Sequence, residues 1–232
     1  MNLPFTEDIL VKDAVTVFPK SSDVFKQHRI DFCCGGNISI KAAAEGRGLD
    51  ASELMEQLRD KYAGEEDVEL QTPEWEQAES TDLIETIIAK FHNPTIEEFK
   101  QLSPYVTKVV KVHGERHPEL LRIRELFFAL KEEMLEHMQK EEDIVFPLIL
   151  DKQAQVVSKD VISRAILELE NEHQKSGDIL KELRELTDDF TPPQNACGTF
   201  RLVFNRLESV EDTTFKHIHL ENHILFPRYT SA

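Results

Sequence analysis

Two stretches of this chain carry the same chemistry at the same spacing. His137, Glu141, Phe146 and Pro147 recur as His217, Glu221, Phe226 and Pro227, both reading H-x3-E-x4-F-P. Residues four apart lie on one face of a helix, one turn above the other. Each His therefore projects in the same direction as its Glu. That direction is inward. Leu130 and Met134 lead by helical steps through positions 137 and 141 to Ile144 and Leu148. Phe200, Val203, Leu207, Val210 and Thr214 lead in the same way through 217 and 221 to Ile224. A third apolar stripe, Ile162, Ile166 and Leu169, reaches His173 before Ser176, Leu180 and Leu183. In a fourth, Ile84 and Ile88 step by fours to His92.

Four imidazoles and two carboxylates thus occupy core positions. An ionised carboxylate in a core is costly unless a countercharge stands beside it. A metal ion supplies that charge. Six donors exceed what one ion needs. If Glu141 and Glu221 both bridge, each of two ions receives two nitrogens and two carboxylate oxygens. A solvent-derived oxo or hydroxo bridge then leaves one position open on each. Imidazole with carboxylate and open sites suits two non-haem irons, which would bind small diatomic molecules. Zinc usually stops at four ligands. Donor types alone leave manganese open. A ferritin-type centre needs Glu-x-x-His on two helices. Only Glu170 with His173 has that spacing, so that reading fails. His113, His117, His219 and His223 are expected outside the ligand set, on the surface or behind it.

The other singular feature is Cys33-Cys34 followed by Gly35-Gly36. Vicinal thiols in a glycine turn are expected to be accessible. They read as a soft-metal or iron-transfer site or as a reductant, in place of two ordinary turn cysteines. As neighbours in one turn, they are expected to be poorly placed to chelate a single ion together. Cys197 reads as a buried packing residue.

The elements that must hold these residues are helical. Strand-like alternation and Asn-Gly hairpins are missing from the sequence, so the class is all-α. Residues 1–62 form a small helical domain. Pro19 ends its first helix, Ser21 is expected to cap the second, and Asp50 with Glu53 to start the last. Residues 63–80 hold seven acids and no Lys or Arg, an acidic linker with Trp75 inside it. Residues 81–232 carry four long helical patterns with short connections, the outline of an up-down four-helix bundle. Pro94 and Pro104 are expected to bend or restart the first of them.

The 27 basic and 44 acidic residues sum to −17, which makes nucleic acid and anionic membranes poor partners. No apolar run spans a bilayer, and MNLPFTEDIL is unlike a secretory signal. Three cysteines, two of them adjacent, do not make a disulfide framework. A reducing cytoplasm is the expected compartment.

The phrase Ile30-Asp31-Phe32-Cys33-Cys34-Gly35-Gly36, joined to a bundle with a duplicated H-x3-E-x4-F-P, resembles the Repair of Iron Centres family, hemerythrin-like di-iron proteins of ScdA/YtfE type. The resemblance covers nearly the whole chain. It implies a di-iron centre on His92, His137, Glu141, His173, His217 and Glu221, bridged by the two glutamates and an oxo-type ligand. It implies a cytoplasmic protein, often dimeric, that restores iron–sulfur clusters damaged by oxidative or nitrosative stress. Oxygen-carrying hemerythrins place a further His four residues after the third-helix ligand. Gly177 stands there in this chain, which disfavours an oxygen carrier. Three roles stay open at this level: an iron donor to damaged iron–sulfur proteins, an enzyme that binds and reduces nitric oxide with electrons from Cys33 and Cys34, and a sensor of nitric oxide or dioxygen.

Overall fold

The computed structural model describes residues 3–63, 74–153 and 158–230. The chain divides into two compact units, one comprising Met1–Glu79 with His219–Pro227, the other Ser80–Ile218 with Arg228–Ala232. Among the described residues no strand forms, and Leu10 and Ser39 share a single antiparallel bridge.

In the first unit four helices enclose a small core: α1 (Val11–Val17), α2 (Ser21–Gln27), α3 (Ile40–Gly46) and α4 (Ala51–Ala63). Phe25, Ile40, Leu54 and Leu58 are fully buried in it. Helix α1 ends at Val17, two residues before Pro19, as expected. Ser21 is not a cap: it is the first residue of α2, and Ser22 Oγ instead donates to the Pro19 carbonyl at 2.7 Å. Asp50 does hold the start of α4, its Oδ1 accepting the Ser52 N–H at 2.7 Å. Of the acidic stretch, residues 64–73 lie outside the described residues. Glu74–Gln77 forms the short α5, in which Trp75 is half-buried.

The second unit is the bundle. Its four rods are α6 (Ser80–Ile87) running into α7 (Asn93–His113), α8 (Glu119–Lys140) running into α9 (Phe146–Gln153), α10 (Lys159–Leu186), and α11 (Gly198–Leu220). Helix α8 packs against both α7 and α10. Phe99 and Leu102 of α7, Phe127 and Leu130 of α8, Leu180 of α10, and Val203 and Leu207 of α11 share one core. Ion pairs tie neighbours together at its rim. Arg206 holds Glu98 through two contacts of 2.6 Å, and Arg122 holds Glu182 at 2.7 and 3.1 Å. Arg184 of α10 grips the fully buried Glu211 of α11.

Three π-turns interrupt the rods: Ile88–His92, Glu141–Val145 and Glu221–Leu225. In each, the following N–H reaches back five residues: Asn93 to Ile88, Phe146 to Glu141, Phe226 to Glu221. The next residue is Pro94, Pro147 or Pro227. Proline lacks the N–H that an α-helix would use, and its ring clashes with the carbonyl four residues back. A turn widened by one residue accommodates both facts without ending the helix, and such turns concentrate at functional sites. Pro94 accordingly opens α7, whereas Pro104 sits on the exposed side of α7 and does not end it.

The widened turns also shift the apolar register by one residue. Ile144 is 52% exposed and Leu148 is only half-buried, while Val145, Phe146 and Ile149 take the core positions. In the first rod Ile87 is buried and Ile88 is not fully so, and His92 is 0% exposed, five residues beyond Ile87. The straight four-step stripe expected from Ile84 through Ile88 is corrected in this way, although it still ends on the buried His92.

Candidate metal centre

Each rod of the bundle delivers one imidazole to a common interior point. His92, His137, His173 and His217 are at most 3% exposed, and Glu141 is 0% exposed. The imidazoles meet in two pairs. The Nε2 atoms of His92 and His217 are 3.1 Å apart, and those of His173 and His137 are 2.9 Å apart. Two nitrogens held cis on one ion at about 2.1 Å are about 3.0 Å apart. Both pairs therefore have the bite of adjacent ligands. Between them stands Glu141, whose Oε2 is 3.3 Å from His92 Nε2, 3.3 Å from His137 Nε2 and 3.7 Å from His217 Nε2.

The outward nitrogens are fixed by carboxylates. His92 Nδ1 donates to Glu142 Oε1 at 2.7 Å, and His137 Nδ1 to Glu172 Oε2 at 2.9 Å. Lys140 holds the other oxygen of Glu172 at 2.6 Å. With Nδ1 carrying the proton, Nε2 of a neutral imidazole keeps its lone pair aimed inward, ready to ligate. The His137 hydrogen bond, joined by Lys140 and opposed by partial burial, pulls the Glu172 carboxyl down to about 2. Ring packing sets the remaining orientation. His92 stacks on Phe146 at 5.9 Å and His217 on Phe91 at 5.8 Å. Phe146 faces inward because the π-turn after Glu141 brings residues five apart onto one side.

Glu141 makes the strongest case for a bound cation. Both of its oxygens are buried with no hydrogen-bond partner among the described residues. Burial pushes its carboxyl up, but His137, His92 and His217 outweigh that and hold it well below the usual carboxylate range. Glu221 follows His217 by one turn of the same continuous helix and is 0% exposed. Ligand atoms of His92, Glu141, His217 and Glu221 lie within 4.8 Å of one another, as do those of His137, Glu141, His173 and Glu221. All six residues selected from the stripes come together. The structure adds Glu142 and Glu172, for which the sequence offered no signal beyond adjacency to Glu141 and His173.

The remaining histidines separate clearly. His219 is not on the surface: it is 7% exposed, with Nε2 3.3 Å from Thr16 Oγ1 and Nδ1 3.4 Å from the Phe32 carbonyl. Burial pushes it down to about 3, and the same cause takes His223 to about 4. His113 ends α7 and His117 lies just beyond it, both packed on Phe200. Cys197 is exposed, not buried, and sits 3.2 Å from His113 Nε2.

The cysteine pair also differs from expectation. Cys33 is 2% exposed and Cys34 half-buried, and neither is in a disulfide. The neighbouring Cys34, burial and Asp31 push the Cys33 thiol well up, so it is no exposed, ready thiolate. The Cys33 carbonyl accepts a hydrogen bond from Asn222 at 3.3 Å.

A helical bundle with converging His pairs and buried carboxylates is a metal-binding bundle in class. Residues 83–229 match the family described as Hemerythrin HHE cation binding domain. Residues 8–62 match ScdA_N, described as a Domain of Unknown function (DUF542). A Staphylococcus haemolyticus protein named iron-sulfur cluster repair protein ScdA is 39% identical, the alignment covering 97% of this chain and 99% of the relative. The YtfE protein of Yersinia pseudotuberculosis, also named an iron-sulfur cluster repair protein, is 35% identical over 90% of this chain and 91% of its own. A probable iron-sulfur cluster repair protein of Haemophilus influenzae is 30% identical over 97% and 98%. This chain belongs to the ScdA/YtfE family. Among the described residues no helix is long and apolar enough to cross a membrane.

Two expected outcomes follow from the geometry. His137→Ala, His173→Ala and His217→Ala should each lower metal content, whereas His219→Ala should leave it unchanged. The latter should instead destabilise the first unit by about 1–3 kcal/mol through its lost buried hydrogen bonds. Metal analysis and chemical denaturation of the same samples check both, and metal loss in the His219 variant would overturn the assignment of its face. Glu172→Gln should weaken metal affinity about 10–100-fold while leaving saturated stoichiometry intact. A competition titration against a chelator reads that change.

Proposed function

We propose that the bundle holds two non-haem irons and that the protein repairs iron–sulfur clusters damaged by oxidative or nitrosative stress by supplying iron to them. His92 and His217 would hold one ion, His137 and His173 the other, with Glu141 and Glu221 shared. The donor set fits. Four neutral nitrogens and two carboxylates suit Fe²⁺ or Fe³⁺, and the partnerless buried oxygens of Glu141 supply the charge a dinuclear site needs. Iron bound there supplies Lewis acidity, redox capacity and, on this reading, the cargo. The protein's own residues orient the imidazoles through Glu142 and Glu172 and exclude bulk water behind Phe146 and Phe91. Gly177, buried one turn after His173, adds no side chain on that face.

The observation that carries the reading is the convergence of two imidazole pairs on one buried carboxylate, in a chain whose full-length relatives bear the repair name. The burial of Cys33 supports the donor over a nitric oxide reductase driven by these thiols. The test incubates iron-loaded protein with an apo-cluster protein, sulfide and a thiol reductant. Iron lost should match iron gained, faster than from an equal amount of free Fe²⁺ with a weak chelator. No transfer, together with catalytic consumption of nitric oxide, would replace the donor with the enzyme.

A further inference from the structure

The cysteine turn is expected to be a poor chelator because its thiols are adjacent in sequence, yet the structure brings them together. Cys33 Sγ and Cys34 Sγ are 3.6 Å apart, and Asp31 Oδ1 is 3.5 Å from Cys33 Sγ. Ligand atoms of all three residues lie within 4.8 Å of one another. We propose that Asp31, Cys33 and Cys34 form a second, mononuclear metal site, taking one exchangeable divalent cation of zinc or ferrous type.

The spacing selects the geometry. Two sulfurs bound tetrahedrally at about 2.3 Å stand about 3.8 Å apart, and a carboxylate oxygen at about 2.1 Å stands about 3.6 Å from either sulfur. The observed 3.6 and 3.5 Å lie close to both. A linear two-coordinate ion would need its sulfurs about 4.6 Å apart. A disulfide would need about 2.05 Å. The cluster is therefore pre-set for a tetrahedral ion.

The turn is built to hold Asp31 over the thiols. Its Oδ1 accepts the N–H groups of Cys33 at 3.1 Å and Cys34 at 2.9 Å. The two glycines permit the fold-back: a Cβ on Gly35 would meet the Asp31 carboxyl at 3.2 Å, and one on Gly36 would meet the Phe32 carbonyl at 2.7 Å. Three protein ligands with a fourth position open mark a site that exchanges its ion or a ligand, whereas structural zinc sites close with four. Cys33 forms the buried floor, and the half-buried Asp31 and Cys34 form the open side. The site does not depend on the iron-repair reading, and its ion is counted separately from the bundle's.

The test is a Co²⁺ titration of reduced, iron-loaded full-length protein, read by the thiolate-to-cobalt charge-transfer band with iron counted in the same samples. One Co²⁺ per chain should bind with that band, without loss of iron, and one equivalent of Zn²⁺ should remove it. Cys34→Ser should abolish the band and Cys197→Ser should not. Asp31→Asn keeps an oxygen to accept both N–H groups, so the turn survives, and affinity should fall by about tenfold or more. Unchanged circular dichroism separates these effects from misfolding. No thiolate band, a band that persists in Cys34→Ser, or cobalt that enters only by displacing iron would overturn the proposal.

Discussion

Glu141→Ala protein is expected to retain essentially no iron, not half of it. Its Oε2 stands within 3.7 Å of imidazoles from both pairs, so in the proposed two-iron centre the carboxylate would serve both ions at once. Removing one histidine leaves one ion with its full set, and His173→Ala should therefore keep a residual, weaker iron. Removing Glu141 takes an oxygen and a negative charge from both ions together. Stability should report the same asymmetry. A ligand that binds only the folded chain stabilises it by about 4 kcal/mol at a thousandfold excess over its Kd. Wild-type protein should show a large iron-dependent rise in thermal midpoint, and Glu141→Ala almost none. A Glu141→Ala protein with one tightly held iron would contradict the shared role.

Cys33→Ala/Cys34→Ala should do the reverse, keeping full iron and losing repair. Neither thiol belongs to the six bundle residues, and the Asp31 turn that holds them is part of the first unit. The cost in folding should be small, about 1 kcal/mol for truncating the buried Cys33. The cost in function should be large if an ion in transit passes through the proposed Asp31–Cys33–Cys34 site. Iron content and the rate of cluster repair are measured on one preparation. Undiminished repair would make the cysteines structural, and lost iron would make them bundle ligands. Either outcome rejects the role.

The six bundle residues were legible because helical spacing and residue type agree: a histidine or glutamate on an apolar stripe is costly unless something balances it. The all-α class followed from the same periodicity. What the sequence concealed was the local helix geometry. A period near 3.6 carries the stripe straight through to Ile144, but the π-turn adds a residue and buries Val145 and Phe146 instead. The signal was present in the proline that follows each turn, since a proline removes an N–H and crowds the carbonyl four residues back, a strain the π-turns before Pro147 and Pro227 relieve. His219 lies two residues from both His217 and Glu221 and so faces away from the ligand stripe. It is buried nonetheless, because Thr16 and Phe32, nearly two hundred residues earlier, cover it. Cys197 was misplaced for the opposite reason: no period anchors a residue just before a helix start. The closeness of Cys33 and Cys34 depends on Asp31 bonding back to both N–H groups, a side-chain contact that spacing alone does not specify.

The most direct test of the account is metal content per chain after anaerobic reconstitution with equal iron and zinc, followed by removal of loosely bound ions from the Cys34→Ser protein so that only the bundle is counted. The account predicts two irons per chain, falling to essentially none in Glu141→Ala. One zinc per chain with no iron, or a single iron that Glu141→Ala leaves in place, would contradict it.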